Sequence, residues 1–326
     1  MSSEPLLRVE GLRVEFAGSG VRRIRAVRDV DLDVYEGETL GLVGESGCGK
    51  STLGKAMLRV IEPSAGSIRY GGVDLTRLRG GALRRTRADL QMIFQDPFGS
   101  LNPRRRVADI VAEPMIRARG VKRAAARAAA DELLDMVGLG REAGERRPHE
   151  FSGGQRQRIG IARALAPTPR FVVADEAVSA LDVSIQAQII NLLADLIRDR
   201  GLTMLFVSHD LGVVRHIADR VAVMYLGQII EVADRDSFFA APAHPYSEAL
   251  LASVPMLTRE PARQRIVLEG ELPDPADPPA GCAYHTRCRY AVDRCRVEAP
   301  ALRPLAAARS VRCHLPLLTP RKADSL

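Results

Sequence analysis

Tryptophan is absent, and aromatic residues make up only 4% of the 326 residues. A surface that stacks nucleobases needs more rings than that. Long apolar runs are missing too. No stretch approaches ~20 consecutive apolar residues, the length that spans a bilayer as a helix, so no transmembrane helix is expected. The first residues carry Glu4 and Pro5 where a secretory signal would show basic and then apolar residues. No signal peptide is expected, and both absences point to the cytoplasm. Cysteine is scarce, with five in the chain. Four of them, Cys282, Cys288, Cys295 and Cys313, crowd toward the C-terminal end. In a cytosolic chain such a cluster reads as metal binding more readily than as disulfides.

What is present is ordinary in bulk and specific in detail. An apolar share of 46% allows a sizeable core. The formal net charge of +7 gathers at Arg84-Arg85, Arg104-Arg105-Arg106 and Arg146-Arg147. With so few rings between them, these arginines read as solvated faces rather than as a nucleic-acid groove.

Residues 44–51 read Gly-Glu-Ser-Gly-Cys-Gly-Lys-Ser, a full match to the phosphate-binding loop pattern. An apolar run (Leu40 to Val43) precedes it. A stretch with Leu53, Met57, Leu58 and Ile61 at roughly helical spacing follows. Glycines let backbone amides curl around phosphate oxygens, and a helix N-terminus adds partial positive charge. The candidate nucleotide-binding residues are therefore Gly44, Ser46, Gly47, Cys48, Gly49, Lys50, Ser51 and Thr52. Lys50 is expected to reach the β- and γ-phosphates of ATP, and Ser51 to offer its hydroxyl to Mg²⁺.

Elsewhere, period-two alternation at 7–9, 12–16 and 30–34 predicts strands. From about 84 to 166 the texture turns helical, with an Ala-rich stretch over 122–137. Phe171 to Ala174 and Thr203 to Val207 suit strands buried on both faces of a parallel sheet. Residues 221–224 and 228–231 suggest a hairpin around Gly227. Strands alternating with helices imply an α/β sheet. A boundary is expected near Ala240, and the phosphate-loop motif is not repeated.

Asp175-Glu176 closes the second apolar strand. Asp175 is placed to hold Mg²⁺, and Glu176 to polarise an attacking water. Upstream, Ser152 is placed to cap a helix, with Gly153 and Gly154 leaving amides uncovered at its positive end. One triphosphate hardly needs two such helix ends from a single chain. A head-to-tail dimer resolves this, with the loop of one subunit facing the Ser-Gly-Gly of the other.

Here Phe151–Gln155 resembles the signature motif of ABC transporter ATPases. The run Pro-His-Glu-Phe-Ser-Gly-Gly-Gln-Arg-Gln-Arg-Ile-Gly-Ile-Ala-Arg-Ala-Leu over 148–165 is similar to that of the oligopeptide/dipeptide importer branch. Further marks of that branch are the run 95–103 and His244-Pro245-Tyr246. The resemblance implies a P-loop NTPase fold with a RecA-like core, an antiparallel β subdomain and an inserted helical subdomain at about 90–165. It also implies a nucleotide-binding domain over 1–240 and a small Cys-rich extension over 241–326. It gives Gln95 the γ-phosphate- and Mg²⁺-sensing role. Asp182, in Ser179-Ala180-Leu181-Asp182, falls at the dimer seam, and His209 becomes the switch histidine. Gln155 joins Ser152, Gly153 and Gly154 in the signature, and Phe16 becomes the ring under adenine.

The function implied is an ATP-hydrolysing, energy-coupling subunit of a peptide importer, peripheral on the cytoplasmic face of the membrane. Its implied partners are a second ATPase subunit, favoured as a paralogue, and two permeases. A peptide-binding protein would act indirectly, and no nucleic acid is expected. A soluble ABC ATPase acting on nucleic acid or ribosomes is the alternative, supported by the charge and the missing membrane segment. One departure stands out: Ala177 replaces the proline usual after the Asp-Glu pair, which leaves positioning of the base in doubt and suggests slower turnover.

The spacing of the four late cysteines is not that of common zinc fingers. Four widely spaced thiols suit an iron–sulfur cluster, and peptide-importer ATPases with a similar tail are thought to carry a 4Fe–4S cluster. His285 and His314 keep a mixed zinc site open, and a metal-free cluster remains a third reading. The expected role is structural.

Overall fold

The alternation at the start of the chain becomes one strand with a change of phase. Strand β1 (Leu7–Ala17) buries Leu7 and Val9, then Leu12 and Val14. The odd-to-even switch falls at Gly11, where a φ of 55° and a register shift between Val9 and Leu12 mark a bulge. In the computed structural model, residues 4–18, 23–179, 181–253, 270–306 and 308–317 are described. Ala180 of the expected dimer-seam run lies outside them.

The chain continues through β2 (Arg23–Val34), β3 (Thr39–Val43), α1 (Lys50–Met57), β4 (Ala65–Tyr70) and β5 (Val73–Asp74). The four strands β2-β1-β4-β5, in that order, form an antiparallel sheet. Helix α1 stops short of Ile61, which its spacing had included. Arg59 turns left-handed (φ 55°) and sends its buried guanidinium to the Leu75 carbonyl at 3.0 Å.

After α2 (Gly80–Thr86) come β6 (Leu90–Ile93), the single turn α3 (Pro97–Ser100), α4 (Val107–Arg119), α5 (Arg123–Met136) and α6 (Gly153–Leu165). Helices α4, α5 and α6 share one apolar cluster that includes Val111, Leu134 and Ile161. Then follow β7 (Phe171–Asp175), α7 (Val183–Arg200), β8 (Thr203–Val207), α8 (Leu211–Ile217), β9 (Arg220–Tyr225) and β10 (Gln228–Asp234). The hairpin between β9 and β10 turns on Leu226 (φ 43°) and Gly227 (φ 76°). Two consecutive left-handed residues match the right-handed twist of the flanking strands.

The chain closes with α9 (Arg235–Ala240), α10 (Pro245–Ala252), α11 (Asp293–Val297), β11 (Arg303–Ala306) and β12 (Arg309–Val311). The main sheet has the order β11-β12-β10-β9-β3-β8-β7-β6. Its central strands β9, β3, β8, β7 and β6 run parallel, and β3, β7 and β8 are buried throughout. The late hairpin β11–β12 pairs onto β10, with Val311 opposite Glu231, so the extension is hydrogen-bonded to the main sheet. Ligands of open parallel sheets sit beyond the carboxyl ends of the strands. The candidate site lies there.

Candidate functional site

Two glycines of the loop after β3 leave no room for a Cβ. A Cβ on Gly44 would meet the Met224 carbonyl oxygen at 2.2 Å, and one on Gly49 the Ala26 carbonyl oxygen at 2.2 Å. Gly44, Gly47 and Gly49 all have positive φ, at 155°, 80° and 107°. The β9–β10 turn props the loop from behind, Gly227 donating its N–H to the Cys48 carbonyl at 2.8 Å. Gly49 caps α1 with no side-chain acceptor, which leaves the first-turn amides of Lys50, Ser51 and Thr52 for an anion.

Lys50 is buried, and its ammonium donates to the Gly44 carbonyl at 2.8 Å and the Glu45 carbonyl at 2.9 Å. Cys48 is buried beside it, its Sγ 3.9 Å from Nζ, and burial pushes that thiol up. Cys48 is therefore a neutral packing residue of the loop.

The carboxyl ends of β6, β7 and β8 bring the acid–base residues to the same place. Ser51 Oγ donates to Asp175 Oδ1 at 2.6 Å, and Lys55 Nζ lies 3.8 Å from Asp175 Oδ2. Gln95 Nε2 donates to Glu176 Oε2 at 3.0 Å, and His209 Nδ1 lies 3.7 Å from the same oxygen. Parallel registers explain this. Ile93 pairs with Ala174, so Gln95 stands level with Glu176 two residues on. Asp175 pairs with Val207, two residues before His209. Glu176 adopts a left-handed φ of 45°. Its turn is closed by three bonds: its N–H donates to the Val207 carbonyl at 3.0 Å, and the Ser179 N–H and Oγ donate to its carbonyl at 3.1 and 3.0 Å. Ala177 sits buried in that turn. Hydroxyl, carboxylate and amide oxygens are the hard donors that Mg²⁺ takes. Ser51, Asp175 and Gln95 therefore fit that ion.

Ser152, Gly153, Gly154 and Gln155 open α6 as a reciprocal cap. Ser152 Oγ accepts the Gln155 N–H at 3.4 Å, and Gln155 Oε1 accepts the Ser152 N–H at 3.0 Å. Gly154 packs on Ile185 of α7, where a Cβ would come within 2.5 Å of the Ile185 side chain. Among the described residues, no hydrogen bond or ion pair joins 152–155 to the loop at 44–52. Asp182 stands at the N-terminus of α7 with Val183 beside it, 83% exposed. Phe16, next to last in β1, pairs with Ile24, with 40% of its surface open.

The extension contributes residues that sequence reasoning did not assign to the site. The Glu45 N–H donates to Tyr246 Oη at 2.9 Å, and Arg287 grips the Glu45 carboxylate through both terminal nitrogens. Only the His-Pro-Tyr run hinted at Tyr246. His244 is buried, its Nδ1 accepts the Tyr246 N–H at 3.0 Å, and burial pulls it down to about 3, so it is a neutral cap of α10.

Cys282, Cys288, Cys295 and Cys313 are free thiols that line one cavity with His244, His285 and His314. Burial pushes the Cys288 thiol up to about 11 and the Cys313 thiol up to about 12. Among the described residues, however, no three Cys, His, Asp or Glu side chains stand together as a metal-ligand set. His285 Nδ1 lies 2.9 Å from the Cys282 carbonyl, and His314 Nε2 lies 2.9 Å from the Glu298 carbonyl. No helix among the described residues is long and apolar enough to cross a membrane. Three residues of the arginine runs have partners within the chain. Arg105 pairs with Glu113, Arg106 with Glu145, and Arg146 lies over the Phe151 ring.

Comparison with known proteins finds matches among ABC transporter ATP-binding proteins. Residues 27–179 match the family model described as ABC transporter. Residues 230–295 match that of the oligopeptide/dipeptide transporter C-terminal region. The chain is 51% identical over 319 residues to the probable peptide ABC transporter ATP-binding protein y4tS of Sinorhizobium fredii, covering 96% of this chain and 90% of that one. It is 50% identical over 302 residues to the oligopeptide transport ATP-binding protein AppF of Bacillus subtilis, covering 90% of each. Among solved structures, the dimeric cassette MJ0796, a bacterial ABC transporter cassette, superposes with a TM-score of 0.64 at 29% identity, covering 70% of this chain and 98% of that one.

Proposed function

The chain belongs to the ATP-binding-cassette ATPases of peptide transporters, with about half its residues identical to such relatives across nearly its whole length, and from that premise we propose that it couples ATP hydrolysis to import of oligopeptides or dipeptides. The observation that carries the reading is the meeting of Lys50, Ser51–Asp175 and Gln95–Glu176–His209 at the carboxyl ends of one parallel sheet. The Ser152–Gln155 helix end, unbonded to the loop in its own chain, supports a site completed by a facing ATPase subunit. That subunit is read as a paralogue.

In this reading Lys50 leaves the Gly44 and Glu45 carbonyls for the β- and γ-phosphates. Ser51, Asp175 and Gln95 would hold Mg²⁺, and the ion would supply charge neutralisation at the phosphates. Glu176 takes a proton from the attacking water, and His209 donates a hydrogen bond to the γ-phosphate. Gln95 links the base to the helices of about 90–165, so closure and reopening reach that subdomain. Through it they reach two permeases at the cytoplasmic face. Residues 1–240 form the cassette and 241–326 the extension. The four cysteines of the extension would hold a 4Fe–4S cluster as a staple. Their shared cavity supports that reading; the thiols, raised by burial, would have to lose their protons as the cluster bound.

The test is purification with the cognate permeases and second ATPase in vesicles. Peptide-stimulated ATPase activity lost in Glu176→Gln is the expected result. Stimulation by nucleic acid or ribosomes instead would contradict the reading.

A further inference from the structure

We propose that Arg287 is a positioning residue of the nucleotide site: it fixes the phosphate-binding loop from the C-terminal extension by clamping Glu45. The inference rests on the nucleotide-binding reading of 44–51 and adds a residue 242 positions away from that loop.

Glu45 is the second residue of the loop, and its polar groups are committed in two directions. Its carboxylate accepts two parallel bonds from Arg287, Nη1 to Oε2 at 2.7 Å and Nη2 to Oε1 at 2.9 Å. Its N–H donates to Tyr246 Oη at 2.9 Å. Its carbonyl accepts from Lys50 Nζ at 2.9 Å. The extension thus holds the residue on which the phosphate-reaching lysine rests.

The clamp is firmly seated. The Arg287 side chain is 5% exposed, and its guanidinium lies 5.9 Å from the Tyr225 ring centre. The rings of Tyr225, Tyr246 and Tyr284 pack on one another with centroids 4.8 to 5.3 Å apart. Arg287 closes the short turn His285–Arg287 and directly precedes Cys288. A fork of two charge-assisted bonds fixes direction as well as distance. The loop itself carries three glycines at positive φ, which hold no preferred conformation on their own. An external clamp lowers the entropy lost when the loop orders around phosphate.

A clamp on the loop acts on nucleotide affinity, whereas Gln95, Glu176 and His209 lie beyond the ends of other strands, β6, β7 and β8. The full chain is titrated with a fluorescent ATP derivative and Mg²⁺, and ATPase kinetics are recorded beside it. Arg287→Met and Glu45→Gln should each weaken binding and raise KM about tenfold, a change of about 1.4 kcal/mol. At saturation kcat should fall less than about threefold. The double variant should be no weaker than either single one, since both remove the same contact. Arg287→Lys, which keeps the charge and loses the fork, should fall between, and it decides the matter should Arg287→Met not fold. Arg289→Ala is the control, because Arg289 pairs with Glu248 and Tyr290 and should bind as the parent does. Parent-like affinity in the Arg287 variants, additive losses in the double variant, or an equal loss in Arg289→Ala would overturn the proposal. A parent chain that itself binds no nucleotide would strike the underlying reading instead.

Discussion

Gln95 donates its side-chain amide to Glu176 Oε2 at 3.0 Å, across 81 residues of sequence. The bond ties the first residues beyond β6, which lead into the helices, to the candidate base beyond β7. Gln95→Ala is predicted to lower kcat about tenfold while KM for MgATP changes less than about twofold, because the phosphate loop is untouched. Steady-state kinetics on the assembled transporter check this. A change in KM alone would contradict it.

The loop glycines offer a graded test. Gly49→Ala places a Cβ 2.2 Å from the Ala26 carbonyl oxygen at a φ of 107°, whereas Gly47→Ala meets nothing within 4 Å at a φ of 80°. Gly47→Ala should cost only the left-handed strain, about 1 kcal/mol. Gly49→Ala adds a clash with backbone and should cost about 3 kcal/mol or more. Denaturant unfolding without nucleotide measures both.

Ala177 stands where the family resemblance leads one to expect proline, and a stiffer turn there would favour faster turnover. The Glu176 turn is nonetheless closed by Val207 and twice by Ser179. Ala177→Pro is therefore predicted to change the ATPase rate less than about twofold. A several-fold rise would show that the turn lacks stiffness as it stands.

His244 gives a pH dependence with a definite sign. Burial lowers it from 6.5 to about 3 in the fold. Below pH 6.5 the unfolded chain takes up a proton that the folded chain refuses, so this residue's contribution weakens as pH falls toward 3, by up to about 1.4 kcal/mol per pH unit. His244→Asn keeps an acceptor for the Tyr246 N–H and removes the titration. Its melting temperature should fall less than the parent's between pH 7.5 and 5.5. Equal falls would contradict the assignment.

Much of this was legible in the sequence because it is local. The phosphate loop, the apolar strand before Asp175, the Ser152 cap and the Gly227 turn are each written in a few consecutive residues. The bonds among Gln95, Glu176 and His209 follow from strand register, which only the assembled sheet supplies. Arg59 ended α1 early through a buried bond to a distant carbonyl, where spacing alone carried the helix on to Ile61. The tail read only as a small Cys-rich extension. Yet it adds β11 and β12 to the main sheet, because Val311 fills a buried place opposite Glu231. Glu45–Arg287 and Glu45–Tyr246 span 242 and 201 residues, and no periodicity announces contacts of that range.

That two protomers enclose the triphosphate between them is tested most directly by the mass of Glu176→Gln protein in light scattering after chromatography. Saturated with MgATP and mixed with its cognate ATPase subunit, it should elute as a dimer that dissociates when nucleotide is removed. Monomers under saturating MgATP would contradict the shared site.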